Sequence, residues 1–568
     1  MIGDENQDGS TDMRYLLKNS DYEDIFKLIE ENSNMNQDVI SEDIAFSFAR
    51  VLIDNIEISS KSRVIIFAGN GIKGLTGADI SRILSYKGIG ALVCICISED
   101  CSDNVSAEHT GHTDSGDWKH VDSTVIMKHA RQAESFGCTI YKGIPDKIES
   151  MDFDIVVDAL SGFSKSSGCD EFSDFSKSSG GDSFSENASA VINKMKCKKI
   201  SLFIPYGVDP DSAEVSNRAV CADMTISTNI GRNALYIYPG CTNCGKIVFS
   251  GTCLDNKKSR DIENKITVLE SSSDVTMPSR DPSGNKGTFG KILIIAGHRN
   301  VCGAAILSCR SAYRSGCGMV KLLTTESNRI IVQESVPEVM LDTYQDDEEI
   351  ISCAAHTDVD VNADETSGLL LSLENDIKWA DRILIGPGLG TGETAVQLVR
   401  AISKISDKPI VFDADALNII SADDDIRKNI TENSNDHITI TPHMGELSRL
   451  LGGTTVENIK KDWISNVRDL SDELGVTVIS KDARTLIISP GSDECYLNVR
   501  GDSGLATAGS GDVLAGIVAA LSSKKVEPWM SAAKAVLLHA EAGERASAKR
   551  GETAVIAGDI IEELQEIS

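Results

Sequence analysis

Short runs rich in Val, Ile and Leu recur along this chain, each followed by an amphipathic stretch, and they come in two series. The first is "RVIIFAG" (Arg63–Gly69), "ALVCICIS" (Ala91–Ser98), "DIVVDALSG" (Asp154–Gly162) and "KKISLFIPYG" (Lys198–Gly207), with helical patterns such as "GADISRILSYKG" between them. Runs that are apolar throughout, rather than at alternate positions, mark strands covered on both faces. Their alternation with helices predicts βαβ units around parallel sheets. The second series is "KILIIAG" (Lys291–Gly297), "MVKLLTT", "RILIGPGLG" (Arg382–Gly390), "PIVFDADALNII" (Pro409–Ile420), "ITITPHMGEL" and "VTVISKDARTLIIS". A polar stretch, "SSSDVTMPSRDPSGNK" (Ser271–Lys286), separates the two and reads as a linker. A length of 568 residues exceeds what one core serves. The expected organisation is a polar N-terminal segment over 1–20, an α/β domain over 21–270, the linker over 271–286 and a second α/β domain over 287–568.

Three polar stretches interrupt the pattern. Ser102–Asp122 is rich in Ser, Asp and His; a near repeat, "GFSKSSGCDEF" then "DFSKSSGGDSF", covers Gly162–Phe184; and Asp342–Glu374 is acidic. All three read as solvated surface insertions. His109, His112 and His120 fall in the first, where nothing rigid fixes a metal-ligand geometry, so they read as loop residues. The 15 cysteines are odd in number, and many sit in apolar runs, where a thiol behaves as a small hydrophobe. A reducing compartment is expected rather than a disulfide scaffold. Cys241 and Cys244 form one C-x-x-C without a second pair at zinc-ribbon spacing, so no metal is expected there.

The net charge of -31 argues against nucleic acid and anionic membrane surfaces as partners. No apolar run approaches the roughly 20 residues of a membrane span, and the opening "MIGDENQDGSTDM" lacks the pattern of a secretory signal. A soluble, cytoplasmic protein is expected, and a homo-oligomer.

"GLATAGSGDVLAG" (Gly504–Gly516) places small residues ahead of an apolar helical run. The N–H groups at such a helix start point outward, and with the helix dipole they hold an anion without a cationic side chain. Beside a bound phosphate Asp512 is repelled as a ligand. It is well placed, however, to accept a proton from a hydroxyl attacking that phosphate. The alternative is that Asp512 merely caps its helix.

Between Lys286 and Ser568 the chain carries, in order, "KGTFGKILIIAGHRNVCGAAILSCRSAYRSGCGMVKLLT", "VPEVML", "IGPGLGTG", "FDADALNII", "TPHMGELSRLLG", "GLATAGSGDVLAG" and "LLHAEAGERA". In these motifs it resembles the ADP/ATP-dependent NAD(P)H-hydrate dehydratases, of ribokinase-like fold. The resemblance implies that Gly388 and Gly390 lie close to the substrate, where a Cβ would clash. It implies that Ala304 or Ala305 lines the substrate pocket, and that His443 contacts the hydrated dinucleotide, a core histidine being the alternative. Nucleotide contacts are implied for Lys481, Asp482, Ala483, Arg484 and Thr485, and phosphate contacts for Gly509, Ser510 and Gly511, with Asp512 acting on the substrate. Asp482 stands where the family has glycine, which implies weaker or altered nucleotide binding. Asp413 and Asn418 follow a strand's C-terminal end, where such sheets bind ligands; their roles are left open.

The implied substrate is a small molecule, NADH or NADPH with water added across a nicotinamide double bond. Phosphorylation of its hydroxyl by ADP or ATP, with magnesium balancing phosphate charge, makes phosphate the leaving group, and elimination restores the cofactor.

Residues Asp21–Glu270 resemble the NAD(P)H-hydrate epimerases, of three-layer Rossmann-like fold, in "RVIIFAGNGIKGLTGADISRIL", "DIVVDALSG", "LFIPYGVDPDSAEV" and "CADMTIS". The family's first loop supplies paired asparagines and a Gly-Asp; here Ile72, Lys73, Leu75 and Thr76 stand in those places. Where the family carries an aspartate for proton transfer and then a serine, this chain has Phe203 and Tyr206. Phenylalanine cannot exchange a proton, so this domain is expected to lack epimerase activity. Asp158 survives, implying a vestigial monovalent cation (potassium) site. Lys73 either places its ammonium beside Asp158, making the ion redundant, or is a solvated loop lysine. Two other functions stay open: an active bifunctional epimerase and dehydratase, and a ribokinase-like small-molecule kinase with an N-terminal scaffold module.

Overall fold

The apolar runs fold as parallel strands. The computed structural model describes residues 14–18, 21, 22, 24–26, 29, 35–56, 58–95, 123–160, 182–255, 265–345, 364–434 and 437–566. The chain divides into one unit over Arg14–Lys265 and another that takes in Ile266–Ser568. His109, His112, His120, most of the Ser-rich repeat and the middle of the acidic stretch lie outside the described residues.

The N-terminal unit contains strands β1 (Arg14–Leu17), β2 (Arg63–Ala68), β3 (Gly90–Ile95), β4 (Thr139–Lys142), β5 (Ile155–Ala159), β6 (Lys198–Leu202), β7 (Met224–Thr228), β8 (Ile230–Arg232) and β9 (Lys246–Ser250). Its helices are α1 (Gln37–Ile56), α2 (Gly71–Tyr86), α3 (Ser123–Glu134) and α4 (Asp182–Lys194). The sheet order is β4-β3-β2-β5-β6-β7-β9, all parallel, and β1 pairs in parallel with β8. Period-two alternation sorts β2 onto two cores. Val64, Ile66 and Ala68 join a cluster with α1, α2 and α3, while Ile65 and Phe67 join another with Ala188 and Ile192 of α4.

"GNGIKGLTG", expected as a loop, is mostly the first turns of α2, with Leu75 and Thr76 fully buried. Close packing explains glycine inside that helix. A Cβ on Gly77 would lie 2.5 Å from the Ala159 Cβ, so a larger residue would push α2 off the sheet.

The C-terminal unit contains β10 (Ile266–Leu269), β11 (Lys291–Ile295), α5 (Cys302–Arg314), β12 (Met319–Thr325), β13 (Met340–Tyr344), α6 (Asp364–Trp379), β14 (Arg382–Ile385), β15 (Ile410–Phe412) and β16 (Ile438–Ile440). There follow α7 (Met444–Leu450), β17 (Thr477–Lys481), β18 (Thr485–Ile488), β19 (Cys495–Asn498), α8 (Ser510–Leu521) and α9 (Pro528–Arg550). Its strands run in the order β13-β12-β11-β14-β15-β16-β17-β18-β19-β10. They are parallel from β13 to β17; β18 is antiparallel to both neighbours, and β10 is parallel to β19. This is a mixed α/β architecture built on parallel strands.

Three segments differ from expectation. The expected polar segment over 1–20 contains β1, whose Leu16 and Leu17 are buried. β10, expected within the N-terminal domain, belongs to the C-terminal sheet. The start of the expected linker is tied to that unit as well: the Arg500 guanidinium donates to the Glu270 carbonyl at 2.9 Å, the Ser272 N–H to Glu541 at 2.6 Å, and Lys534 Nζ to the Ser272 carbonyl at 2.6 Å. The acidic stretch, expected as one surface insertion, begins in β13 and ends in α6. Its first acid is tolerated because β13 is an edge strand and because Lys321 Nζ lies 3.5 Å from Asp342.

Candidate active site

Strands β14 to β17 lie side by side and parallel, so the residues just past their C-terminal ends converge. Asp413 follows β15 and is 2% exposed. Its Oδ1 accepts Thr441 Oγ1 at 2.5 Å and Lys481 Nζ at 2.9 Å. Lys481 closes β17, and a Cβ on Gly511 would lie 3.6 Å from its Nζ, which sets the ammonium beside the first turn of α8. Burial pulls the Lys481 pKa down, but the charges of Asp413, Glu446 and Asp512 outweigh it and hold the group above its ordinary value.

Asp512 is the third residue of α8. The N-cap is Gly509, at φ 88°, and no side chain caps the helix, so Asp512 is not there as a cap. Burial, and after it the Asp413 charge, pushes its carboxyl up to about 7, with Asp415 adding and Lys481 opposing. The helix itself is fixed by close crossing with α5: Ser308 Oγ donates to the Asp512 carbonyl at 3.1 Å, and a Cβ on Gly516 would meet Ser311 Oγ at 2.0 Å. Ser510 Oγ sits 3.1 Å from His539 Nε2. Burial lowers His539 to about 4, keeping that ring neutral at pH 7.

Glu446 was not singled out from the sequence, where "TPHMGE" reads as a helix start. It is 5% exposed, and burial first, then Asp413, raises its carboxyl to about 7 against the pull of Lys481. One oxygen accepts the His443 N–H at 2.9 Å. His443 is no core histidine: its side chain is 55% exposed and caps α7, Nδ1 accepting the Gly445 N–H at 2.9 Å. Burial, then Lys481 and Arg449, lower its pKa.

Gly388 has φ 56°, and a Cβ there would lie 2.7 Å from Val301 Cγ1 and 2.9 Å from the Ala304 Cβ. The crowding that demands glycine therefore comes from the protein's own α5. Ala304 is the alanine that faces Gly388, while Ala305 is fully buried in the core. Gly390 donates its N–H to Asp415 Oδ2 at 2.8 Å. Asn418 links Asp415 to Arg449, donating at 3.3 Å and accepting Arg449 Nε at 2.8 Å.

Lys481 and Thr485 face each other across the β17–β18 hairpin. Between them, Ala483 is exposed and Arg484 donates to the Val499 carbonyl at 2.7 Å. The charge that Asp482 brings is paired, with Lys460 Nζ at 2.7 Å. That local neutralisation makes a prediction. The resemblance implies nucleotide contacts at this hairpin, and on that expectation Lys460→Ala turns the Asp482 charge toward the nucleotide and raises its KM by roughly 2- to 5-fold. Adding Asp482→Gly restores it. Initial-rate kinetics check both, and an unchanged KM in Lys460→Ala counts against the pairing.

In the N-terminal unit, Phe203 holds φ 60° and is 5% exposed, its ring centroid 5.1 Å from that of Phe48. The position that resemblance assigns to a proton-transfer aspartate is thus filled by a side chain packed into the core. Asp158 is fully buried, and Lys73 Nζ lies 3.0 Å from its Oδ2. Lys73 is 6% exposed, which removes the solvated-lysine alternative. Cys244 of the C-x-x-C is buried, its thiol pushed up to about 12 by burial. Among the described residues no group of three or more His, Cys, Asp or Glu forms a metal cluster, and no helix is long and apolar enough to cross a membrane.

Family models match two segments: NAD(P)H-hydrate dehydratase over residues 292–566, and YjeF-related protein N-terminus over residues 37–233. An ADP-dependent (S)-NAD(P)H-hydrate dehydratase of Neisseria meningitidis serogroup B is 35% identical over 285 residues, which are 50% of this chain and 86% of that protein. A bifunctional NAD(P)H-hydrate repair enzyme Nnr of Thermofilum pendens is 27% identical over 522 residues, 92% of this chain and 90% of that protein. A solved ADP/ATP-dependent NAD(P)H-hydrate dehydratase from Bacillus subtilis, co-crystallized with ATP/Mg2+, is 25% identical, covers 52% of this chain and 96% of that one, and has a TM-score of 0.41. The chain thus belongs to the NAD(P)H-hydrate dehydratase family, and with both segments present in this order it is similar along most of its length to bifunctional NAD(P)H-hydrate repair enzymes.

Proposed function

We propose that this chain repairs hydrated nicotinamide cofactors by ADP- or ATP-dependent dehydration of (6S)-NAD(P)HX. The observation that carries the reading is Asp512, a carboxyl raised to about 7 at the start of a helix whose N–H groups suit a phosphate. Lys481 places a cation beside that same turn. Asp512 takes the proton of the substrate hydroxyl as its oxygen attacks the terminal phosphoryl group. The nucleotide leaves one phosphate shorter, and elimination of the new phosphate ester restores the reduced nicotinamide. A base whose pKa lies near the working pH is effective in such a transfer.

The donor set suits a magnesium ion arriving with the nucleotide. The carboxylates of Asp413 and Asp415 are near enough to shift the protonation of Asp512, and magnesium binds through one or two carboxylates together with phosphates. Such an ion neutralises charge on the transferring phosphoryl group.

The N-terminal unit, on this reading, contributes no epimerase chemistry, because Phe203 carries no exchangeable proton. An epimer-resolved assay tests both statements. With ADP or ATP, magnesium and a mixture of the two NADHX epimers, one epimer is expected to disappear quickly and the other only at the spontaneous rate. Rapid loss of both would show a working epimerase, and a stable phosphorylated product would show a kinase.

A further inference from the structure

The C-terminal ends of β2, β5 and β6 meet at a buried carboxylate. Asp158 Oδ2 accepts Lys73 Nζ at 3.0 Å, Ser201 Oγ at 2.7 Å and the Tyr206 N–H at 2.9 Å, while Oδ1 accepts the Leu160 N–H at 3.0 Å. Lys73 Nζ also donates to the Ile204 carbonyl at 2.6 Å. One ammonium thus joins the first turn of α2, the end of β5 and the segment after β6. That segment is strained, since Phe203 holds φ 60° and a non-glycine residue occupies this region only where its surroundings impose it.

The resemblance to the epimerases brings potassium to this place, and the residues here do not fit it. A monovalent ion needs oxygen ligands, and among the described residues Asp158 Oδ2 and the Ile204 carbonyl already accept the ammonium while Asp158 Oδ1 accepts the Leu160 N–H. We infer that Lys73 acts as a tethered monovalent cation, its ammonium standing between Asp158 and the Ile204 carbonyl where a free ion would be required, so that this unit keeps its loops assembled without potassium. Burial pulls the Lys73 pKa below its ordinary value, and the Asp158 carboxylate, 3.0 Å from the ammonium, opposes that pull and favours the charge. A tethered ammonium is present at every salt composition, whereas a free ion stabilises only to the extent that its concentration exceeds its dissociation constant. The inference is independent of the activity proposed above.

Hydrogen–deuterium exchange on the full chain tests it, comparing potassium chloride with choline chloride at equal ionic strength. In the wild type, the segments Gly69–Leu75 and Phe203–Gly207 are expected to exchange at rates equal within about 2-fold in the two salts. Slowing by about 10-fold on adding potassium overturns the inference, and this arm needs no variant. In Lys73→Gln, the same segments are expected to exchange at least ~10-fold faster in choline, with potassium slowing them again. A variant that matches the wild type in choline, or that is fast in both salts, also overturns it.

Discussion

Asp512→Asn is expected to lower kcat by roughly 10²-fold or more, with the KM for nucleotide little changed, because the interaction removed is one made while the proton moves. The same residue sets the pH dependence. Its carboxyl is raised to about 7, so kcat/KM of the wild type rises with pH through about 7 and then levels as the base becomes ionised. That limb is absent from the residual activity of the variant.

Stability moves the other way. A carboxyl whose folded pKa lies above its unfolded value holds its proton more tightly in the native state. The native state therefore loses stability as pH rises from about 4 to about 7, and bears the whole cost above that window. Asparagine removes the charge, so the variant gains on the order of 1–4 kcal/mol at pH 8, a rise of ~2–4 °C in Tm per kcal/mol. The gain closes below pH 4, where both proteins are neutral at this position. Thermal melts across pH, alongside steady-state kinetics, check the pair of effects. Near-normal turnover in Asp512→Asn would remove Asp512 as the base.

Lys481→Met is expected to be the most destabilising single change in the site. It leaves the Asp413 carboxylate buried with its hydrogen bond from Thr441 but without its cation. Breaking a buried pair from one side costs about 3–5 kcal/mol. Because Lys481 also opposes the rise in the Asp512 and Glu446 carboxyls, the activity that remains should need a higher pH. Adding Asp413→Asn removes the stranded charge and recovers a large part of the stability without recovering turnover. Denaturant unfolding of the two single variants and the double variant gives the coupling directly. Strictly additive losses would mean that the two groups do not act as a pair.

How much of this was legible in the chain follows from the kind of interaction involved. Strands such as Val64–Ala68 and Ile292–Ile295 declare themselves because both faces of a parallel sheet are covered, leaving no polar position to blur the run. β10 escaped because four residues beside a polar stretch carry too little pattern. β13 escaped because an edge strand accepts acids that a central one would reject. Asp512 was visible through its neighbours in sequence, since a helix start is a local property. Glu446 was not, because what distinguishes it is the charge of Lys481 and Asp413 brought from other strands. The Lys460–Asp482 pair was hidden for the same reason. Lys73 was visible as a substitution, but only folding shows whether a lysine meets an aspartate or water.

Ile266–Leu269 lies ahead of the polar stretch in sequence yet contributes a strand to the C-terminal unit. Separating the halves where composition invites a cut, after Lys286, would strip the N–H and C=O partners from one side of Cys495–Asn498. It would also leave an adhesive strand open to pairing with a second molecule. The modular boundary is therefore set by main-chain pairing: the C-terminal half keeps the partner of Cys495–Asn498 only when it begins no later than Ile266.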